Sequence, residues 1–335
     1  SGGLWVPLVA RRIIEEPTIL LAHQPRPRIK NTPWRGLSLL LSPLSCPLGR
    51  PDRHHRPQRP RRALRGGLAE VKVNGYSIEP AAQLQDADLS GAQLMGVNLF
   101  KAQMQRANLT EADLTGANLQ CVNLRGANLW KANMPGVLLN SENPRIKRAL
   151  MRRARGRRRM LSTEKSNLSG ANFELANLVG AHLNWSNLEQ TRMINADLTG
   201  AHLYEVNLKM SNLSGANLRG ANLVQANLHR AILVGANLRM ANLLEVDLTH
   251  ANLREANLQG VKLNAADLER INLAAANLQG ADLTGVYLKE AVFTNADLRG
   301  ANLEGATVTG ASFANVHWDH KTIWPHGFTP PSSRY

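Results

Sequence analysis

From residue 82 onward a leucine returns at every fifth position, and two places before it stands a small residue, usually alanine. Ala87-Asp88-Leu89-Ser90-Gly91 and Ala117-Asn118-Leu119-Gln120-Cys121 show the unit. One register runs from Leu84 to Leu139 and holds 12 units; a second runs from Leu168 to Phe313 and holds 30. Of these 42 centres 35 are Leu, and of the positions two before them 30 are Ala, so the apolar pattern is nearly fixed while the other three places vary. A period of five drifts against both the two-residue repeat of a strand and the 3.6-residue repeat of a helix.

A chain that turns a corner every five residues satisfies the pattern. Each side then sends one large and one small residue inward, Leu filling the middle and Ala the narrowing corner. Four sides close one coil, and coils stack at the ~4.8 Å spacing of hydrogen-bonded strands. A 20-residue period tests this separately: the residue two after the centre reads Gly180, Gly200, Gly220, Met240, Gly260, Gly280, Gly300 in steps of 20. Glycine recurring on one side predicts a corner there with positive φ. Stacked this way, the repeats predict a rod roughly 50 Å long.

The A-[ND]-L-x-x array resembles the pentapeptide-repeat family, over about two-thirds of the chain. That resemblance implies an all-β fold, a right-handed quadrilateral parallel β-helix. The entry Gly75-Tyr76-Ser77-Ile78-Glu79-Pro80 and the exit Thr322-Ile323-Trp324-Pro325-His326-Gly327-Phe328 are similar to flanks common in the family. The exit also has a physical reason: an open end exposes a leucine layer, which Trp318, Trp324 and Phe328 are placed to cover.

Composition agrees with a core of this kind. Aromatics make up only 4% of the 335 residues, against 43% hydrophobic residues in all. Two cysteines, Cys46 and Cys121, supply neither a disulfide framework nor a four-ligand zinc site. No apolar run reaches the ~18 residues of a membrane helix. The expected location is soluble: cytoplasm, or an organellar matrix or stroma.

Charge divides the chain. Residues 1–81 hold 14 basic and 5 acidic side chains, and residues 142–165 hold 10 and 2. Everything else holds 16 and 18, so the formal +15 belongs to two appendages and not to the repeats. The expected organisation is a basic Pro-rich arm (1–69), an entry cap with the first repeat block (70–141), an Arg-rich insertion (142–165), the second block (166–316), and a C-terminal cap and tail (317–335). The arm carries 10 of the 16 prolines and reads as disordered or extended. It loosely resembles a targeting peptide, although its prolines oppose an amphipathic helix. Leu44-Ser45-Cys46 is a poor lipidation signal, because Pro43 stands where leucine is wanted.

In the insertion, Asn143-Pro144 suits a helix start, and Ile146, Ala149, Leu150 and Ala154 share one face until Gly156. Arg145, Lys147, Arg148, Arg152, Arg153, Arg155, Arg157, Arg158 and Arg159 make it a candidate polyanion contact, since guanidinium groups suit phosphate. Two plainer readings stand beside it: a solvated loop with no partner, and a late insertion under weak selection.

Chemistry is otherwise sparse. The sequence has no phosphate loop, no dinucleotide fingerprint and no nucleophile elbow, and we expect neither an enzyme, a cofactor nor a metal. His182 and His202 lie 20 apart and so should stack on one side, which makes them the best candidate for a metal; exposed neighbours are the expected reading. Cys121 is expected to be a surface thiol. Asp88, Asp113, Asp197, Asp247, Asp267, Asp282 and Asp297 occupy the ordinary polar slot of the repeat.

Two surfaces remain. Stepping by 20 gives Asn184, Tyr204, Val224 and Leu244, with Trp185 adjacent; the apolar members form a candidate protein contact. An adjoining side carries Lys209, His229, Arg230, His250, Arg270 and Lys289, diluted by Glu189, Glu269 and Glu290. The leading expectation is a non-enzymatic scaffold for a protein partner or larger assembly. The alternative is a nucleic-acid or ribonucleoprotein component that binds phosphate through its arm and insertion. A third comes from the resemblance, since some family members mimic DNA and inhibit type II topoisomerases. The near-neutral repeats, with Asn outnumbering Asp, weigh against it. Oligomeric state is left open.

Overall fold

A computed structural model describes residues 71–140 and 165–332. The leucines and alanines of the repeat point inward from Leu84 to Phe313 and are almost without exception buried in one continuous core. The described residues form a right-handed quadrilateral β-helix. Each side is so short that adjacent coils meet in single parallel bridges, one per side, such as Asn187↔Asn207, Arg192↔Asn212, Asp197↔Asn217 and His202↔Asn222.

Hydrogen bonds explain why five residues suffice for a side. The centre's N–H donates to the coil above (Leu218 to Asn237 O, 2.7 Å), and the preceding residue donates to the coil below (Asn217 to Ala196 O, 2.9 Å). A four-residue turn then closes the corner, with Ala221 N–H donating to Leu218 O at 3.0 Å. Its third residue, Gly220, lies at φ +65 and bonds upward to Arg239 O at 3.0 Å, the arrangement of a type II turn. Side chains at the centre and two before it are thereby directed into the tube.

One expectation about corners is corrected. The glycine column does lie at positive φ, but so do the corners of the other three sides. Among the described residues 26 non-glycines adopt φ between +50 and +61, including Glu205, Arg230 and Trp185. Left-handed φ is a property of every corner, so it does not by itself select glycine for one side.

The repeat blocks stack without a break across the insertion. Asn123 bridges Asn167, Asn128 bridges Asn172, Asn133 bridges Asn177 and Leu138 bridges His182. The same side therefore continues above itself after 44 residues instead of 20. Four columns run through both blocks. The first side stacks Leu84, Met104, Leu124, Leu168 and Leu188 as successive buried centres; the second, third and fourth follow in chain order.

Both ends are covered. At the start, β1 (Lys72–Val73) pairs antiparallel with β2 (Tyr76–Ser77) around Asn74-Gly75, whose φ of 51 and 85 fit a two-residue hairpin turn. Ile78 follows it into the core. At the far end Phe313 stacks on Phe293 with centroids 4.9 Å apart. Trp324 and Phe328 then close over Phe313, and Trp318 meets Trp324 edge-on.

Candidate functional site

Outward side chains of successive coils fall into columns, so any site on this rod is a group of neighbours 20 residues apart. The best-ordered column is the polar slot before each centre. Its Asn or Asp Oδ1 accepts the N–H two residues on, as Asn217 does from Arg219 (3.3 Å) and Asp113 from Thr115 (2.9 Å). Asparagine Nδ2 also donates one coil down: Asn207 to Asn187 at 2.9 Å, Asn237 to Asn217 at 3.1 Å, and across the insertion Asn177 to Asn133 at 2.9 Å. Asp can accept in this ladder but cannot donate when ionised, which favours Asn. The Thr115 hydroxyl, and then its N–H, hold the Asp113 carboxyl below its ordinary value. Reading the slot as merely polar missed this ladder. The signal was present, since Asn and Asp are the side chains that brace a turn two residues on.

The apolar column lies on the fourth side. Tyr204, Val224 and Leu244 stand in one outward column, Trp185 stands in the corner beside it, and all four are half-buried. Trp185 meets Tyr204 edge-on with centroids 5.7 Å apart, and Tyr204 Oη donates to Gln225 Oε1 at 2.8 Å. Asn184, at the foot of the column, accepts the Tyr204 N–H at 2.9 Å. Glu205 and Glu245 occupy two of the corners that edge this strip, with Gln225 between them. The most exposed large apolar side chains lie elsewhere, with Met95 and Met240 at 62% and 63% on the third side.

His182 and His202 share the fourth side with this strip. Their rings stack at 4.5 Å and 14°. Stacked rings direct their in-plane nitrogen lone pairs outward side by side and not toward a common point, which suits contact more than chelation. Burial, then the charge of His202, lowers the pKa of His182 from its ordinary value of 6.5. Among the described residues, no three His, Cys, Asp or Glu side chains are grouped to hold a metal ion.

On the first side, the mixed basic column pairs off toward its C-terminal end. Arg270 Nε lies 2.7 Å from Glu290, and Lys289 Nζ lies 3.2 Å from Glu269. The Arg270 hydrogen bond holds the Glu290 carboxyl below its usual range. His229 Nδ1 lies 2.6 Å from Thr249 Oγ1, and its ring meets His250 edge-on. Lys209 and Arg230 belong to the same surface.

Cys121 is a correction. It occupies a left-handed corner, yet it is only 6% exposed, beside Ser166, whose Oγ accepts its N–H at 2.9 Å. The repeat placed it outward, but chain rejoining after the insertion covers it. Arg145, Lys147, Arg148, Arg152, Arg153, Arg155, Arg157, Arg158 and Arg159 lie outside the described residues. So does the arm with Cys46. No helix among the described residues is long and apolar enough to cross a membrane.

The family model described as pentapeptide repeats matches in eight copies, over residues 81–141 and 164–315. No curated protein sequence matches the chain. Among solved structures, HetL, a pentapeptide repeat protein involved in heterocyst differentiation regulation from the cyanobacterium Nostoc sp., is 29% identical; the match covers 73% of this chain and 92% of HetL, with a TM-score of 0.34. Rfr23 from the cyanobacterium Cyanothece is 33% identical over 34% of this chain and 90% of its own, with a TM-score of 0.33. QnrB1, a plasmid-mediated fluoroquinolone resistance protein, is 16% identical over 63% of this chain and 86% of its own, with a TM-score of 0.27.

Proposed function

Because the chain belongs to the pentapeptide repeat family, with outward columns fixed on a rigid stack, we propose that it is a non-enzymatic scaffold that presents a flat side to a protein partner. The observation that carries this reading is the strip Trp185, Tyr204, Val224, Leu244, which keeps large apolar groups in outward places over four consecutive coils. Outward places on this rod otherwise favour Asn, Asp, Thr and charged groups, so Tyr204, Val224 and Leu244 in one column, with Trp185 in the corner beside it, depart from the norm of the rod. A β-helix holds them at strand spacing with little conformational freedom to lose, which favours binding. Glu205 and Glu245 along the edge fit a partner whose contact segment is apolar with basic flanks.

Co-purification of the full chain with its partner tests the strip. Replacing Tyr204 and Leu244 with Glu should abolish recovery of a partner while the circular dichroism of the rod is unchanged. Undiminished recovery would count against the strip.

Charge distribution supports a second reading, in which the basic segments contact a polyanion. The excess of positive charge lies in residues 1–81 and 142–165, while the remainder of the chain is close to neutral. Affinity for RNA or DNA carried by these segments should fall steeply with salt. Removal of residues 142–165 should weaken it, and an unchanged affinity would rule the insertion out as the contact. Mimicry of DNA is less supported, because the ladder selects Asn over Asp and leaves no regular line of negative charge.

A further inference from the structure

The corner after Leu139 departs from the regular corners around it. In a regular turn the centre's carbonyl accepts the N–H three residues on, as Leu119 does from Val122 and Leu183 from Ser186, both at 3.2 Å. For Leu139 that third residue is Glu142, inside the insertion. Where a hydroxyl stands in the small inward slot, it reaches back to the same carbonyl within its own turn. Thr191 Oγ1 donates to Leu188 O at 2.8 Å, and Ser211 Oγ to Leu208 O at 2.6 Å. Ser186 does otherwise. Its Oγ donates at 2.7 Å to the carbonyl of Leu139, one coil below and the last centre before the insertion.

The neighbouring corner shows the matching change. A left-handed corner residue regularly donates its N–H to the coil above, as Lys101 does to Gln120 O at 2.9 Å. At Cys121 the acceptor is the Oγ of Ser166, at 2.9 Å. Ser166 and Ser186 are fully buried and sit in consecutive coils of a column otherwise filled by residues such as Ala102, Val122, Val206 and Ala226. Sequence arithmetic agrees. Removing residues 141–164 would join Leu139-Asn140 to Lys165-Ser166-Asn167-Leu168, a regular unit with Lys165 in the corner place.

We propose that segment 141–164 is separable from the fold, and that the β-helix of the described residues forms without it. Ser166 and Ser186 are the positioning residues that take over hydrogen bonds where the corner is opened. A buried carbonyl left without a donor is destabilising, and a serine hydroxyl in place of an alanine hydrogen supplies one with little added volume. Once the segment is removed, the N–H of Ser166 stands three residues after Leu139 and can donate as in every regular turn. Ser186 then has no special task.

The test is amide hydrogen exchange on four proteins: the full chain and the chain lacking 141–164, each with and without Ser186→Ala. In the full chain the substitution should speed exchange of the Leu139 and Asn187 amides about fivefold, the change expected for losing one net hydrogen bond. In the shortened chain it should leave them unchanged. Equal acceleration in both backgrounds, or a shortened chain without the β-helix dichroism of the parent, would overturn the proposal. A full-length chain with 141–164 replaced by 24 residues of Gly and Ser should keep its sensitivity to Ser186→Ala. Loss of that sensitivity would mean that the segment's sequence, and not the opened corner, calls for the serine, which also overturns it.

Discussion

The third side of the rod is monotonous and the first is varied. On the third, nine of ten corners from residue 96 to 300 are glycine, and the small inward residue is Ala from Ala92 to Ala296. On the first, the inward slot alternates among Ala, Val and Ser, and the corners include Arg106, Met210, His250 and Glu290. The backbone does not register the difference. Gly220 has φ 65 and Arg230 has φ 56, and each donates to the coil above at 3.0 Å. Leucine layers and the inter-coil bonds set the geometry, and the outward columns then vary without altering it. A column that departs from the polar norm, such as the strip on the fourth side, is therefore the place where function can be sought.

The comparison breaks first at the core. Leu218→Ala on the third side should cost about 2–5 kcal/mol in denaturant unfolding, because a fully buried centre leaves a cavity between stacked layers. The same change at Leu244, half-buried and outward, should cost under about 1 kcal/mol. Similar losses would contradict the division between inward and outward places.

The ladder gives the next effect. Asn217→Asp keeps the acceptor for the Arg219 N–H but removes the donor to Asp197 and sets two carboxylates one above the other. A loss of about 1–3 kcal/mol is expected near neutral pH, shrinking in acid as the carboxylates protonate. A smaller effect separates the two kinds of corner. Gly220→Ala should cost about 1 kcal/mol for placing a side chain at positive φ, and Glu205→Gly on the fourth side should gain a similar amount. If only the glycine column responds, its corners are special after all.

The smallest effect is pH-dependent. The folded state lowers the pKa of His182 below 6.5, so the unfolded chain takes up that proton first as pH falls. Stability should therefore be undiminished above the ordinary value and decline as pH drops through and below it. His182→Asn should flatten that slope in thermal unfolding measured across pH.

Most of the fold was legible because its cause is strictly periodic. Leu at every fifth place and Ala two before it declare which side chains meet inside. The parts that escaped depend on what lies in the adjacent coil. Periodicity located the glycine corners but could not show that Glu205 and Arg230 share their φ. It marked the Asn slot as polar without revealing the donor and acceptor that join Asn207 to Asn187. Cys121 was misplaced because the insertion hides what stacks above it. Ser166 and Ser186, polar where Ala recurs, were the visible trace of that seam. The apolar strip was readable as a column, but its half-burial was not.

Continuity across the insertion is the claim on which these columns rest, and a cross-link tests it directly. Asn128 and Asn172 are 44 residues apart in sequence and directly bridged in space. Cysteines in both places, in a chain with Cys46 and Cys121 replaced by Ser, should oxidise to an intramolecular disulfide, since neighbouring strands lie within the Cα separation that such a bond spans. Free thiols at both positions under the same oxidation, in a chain with parental dichroism, would show that the two repeat blocks do not form one rod.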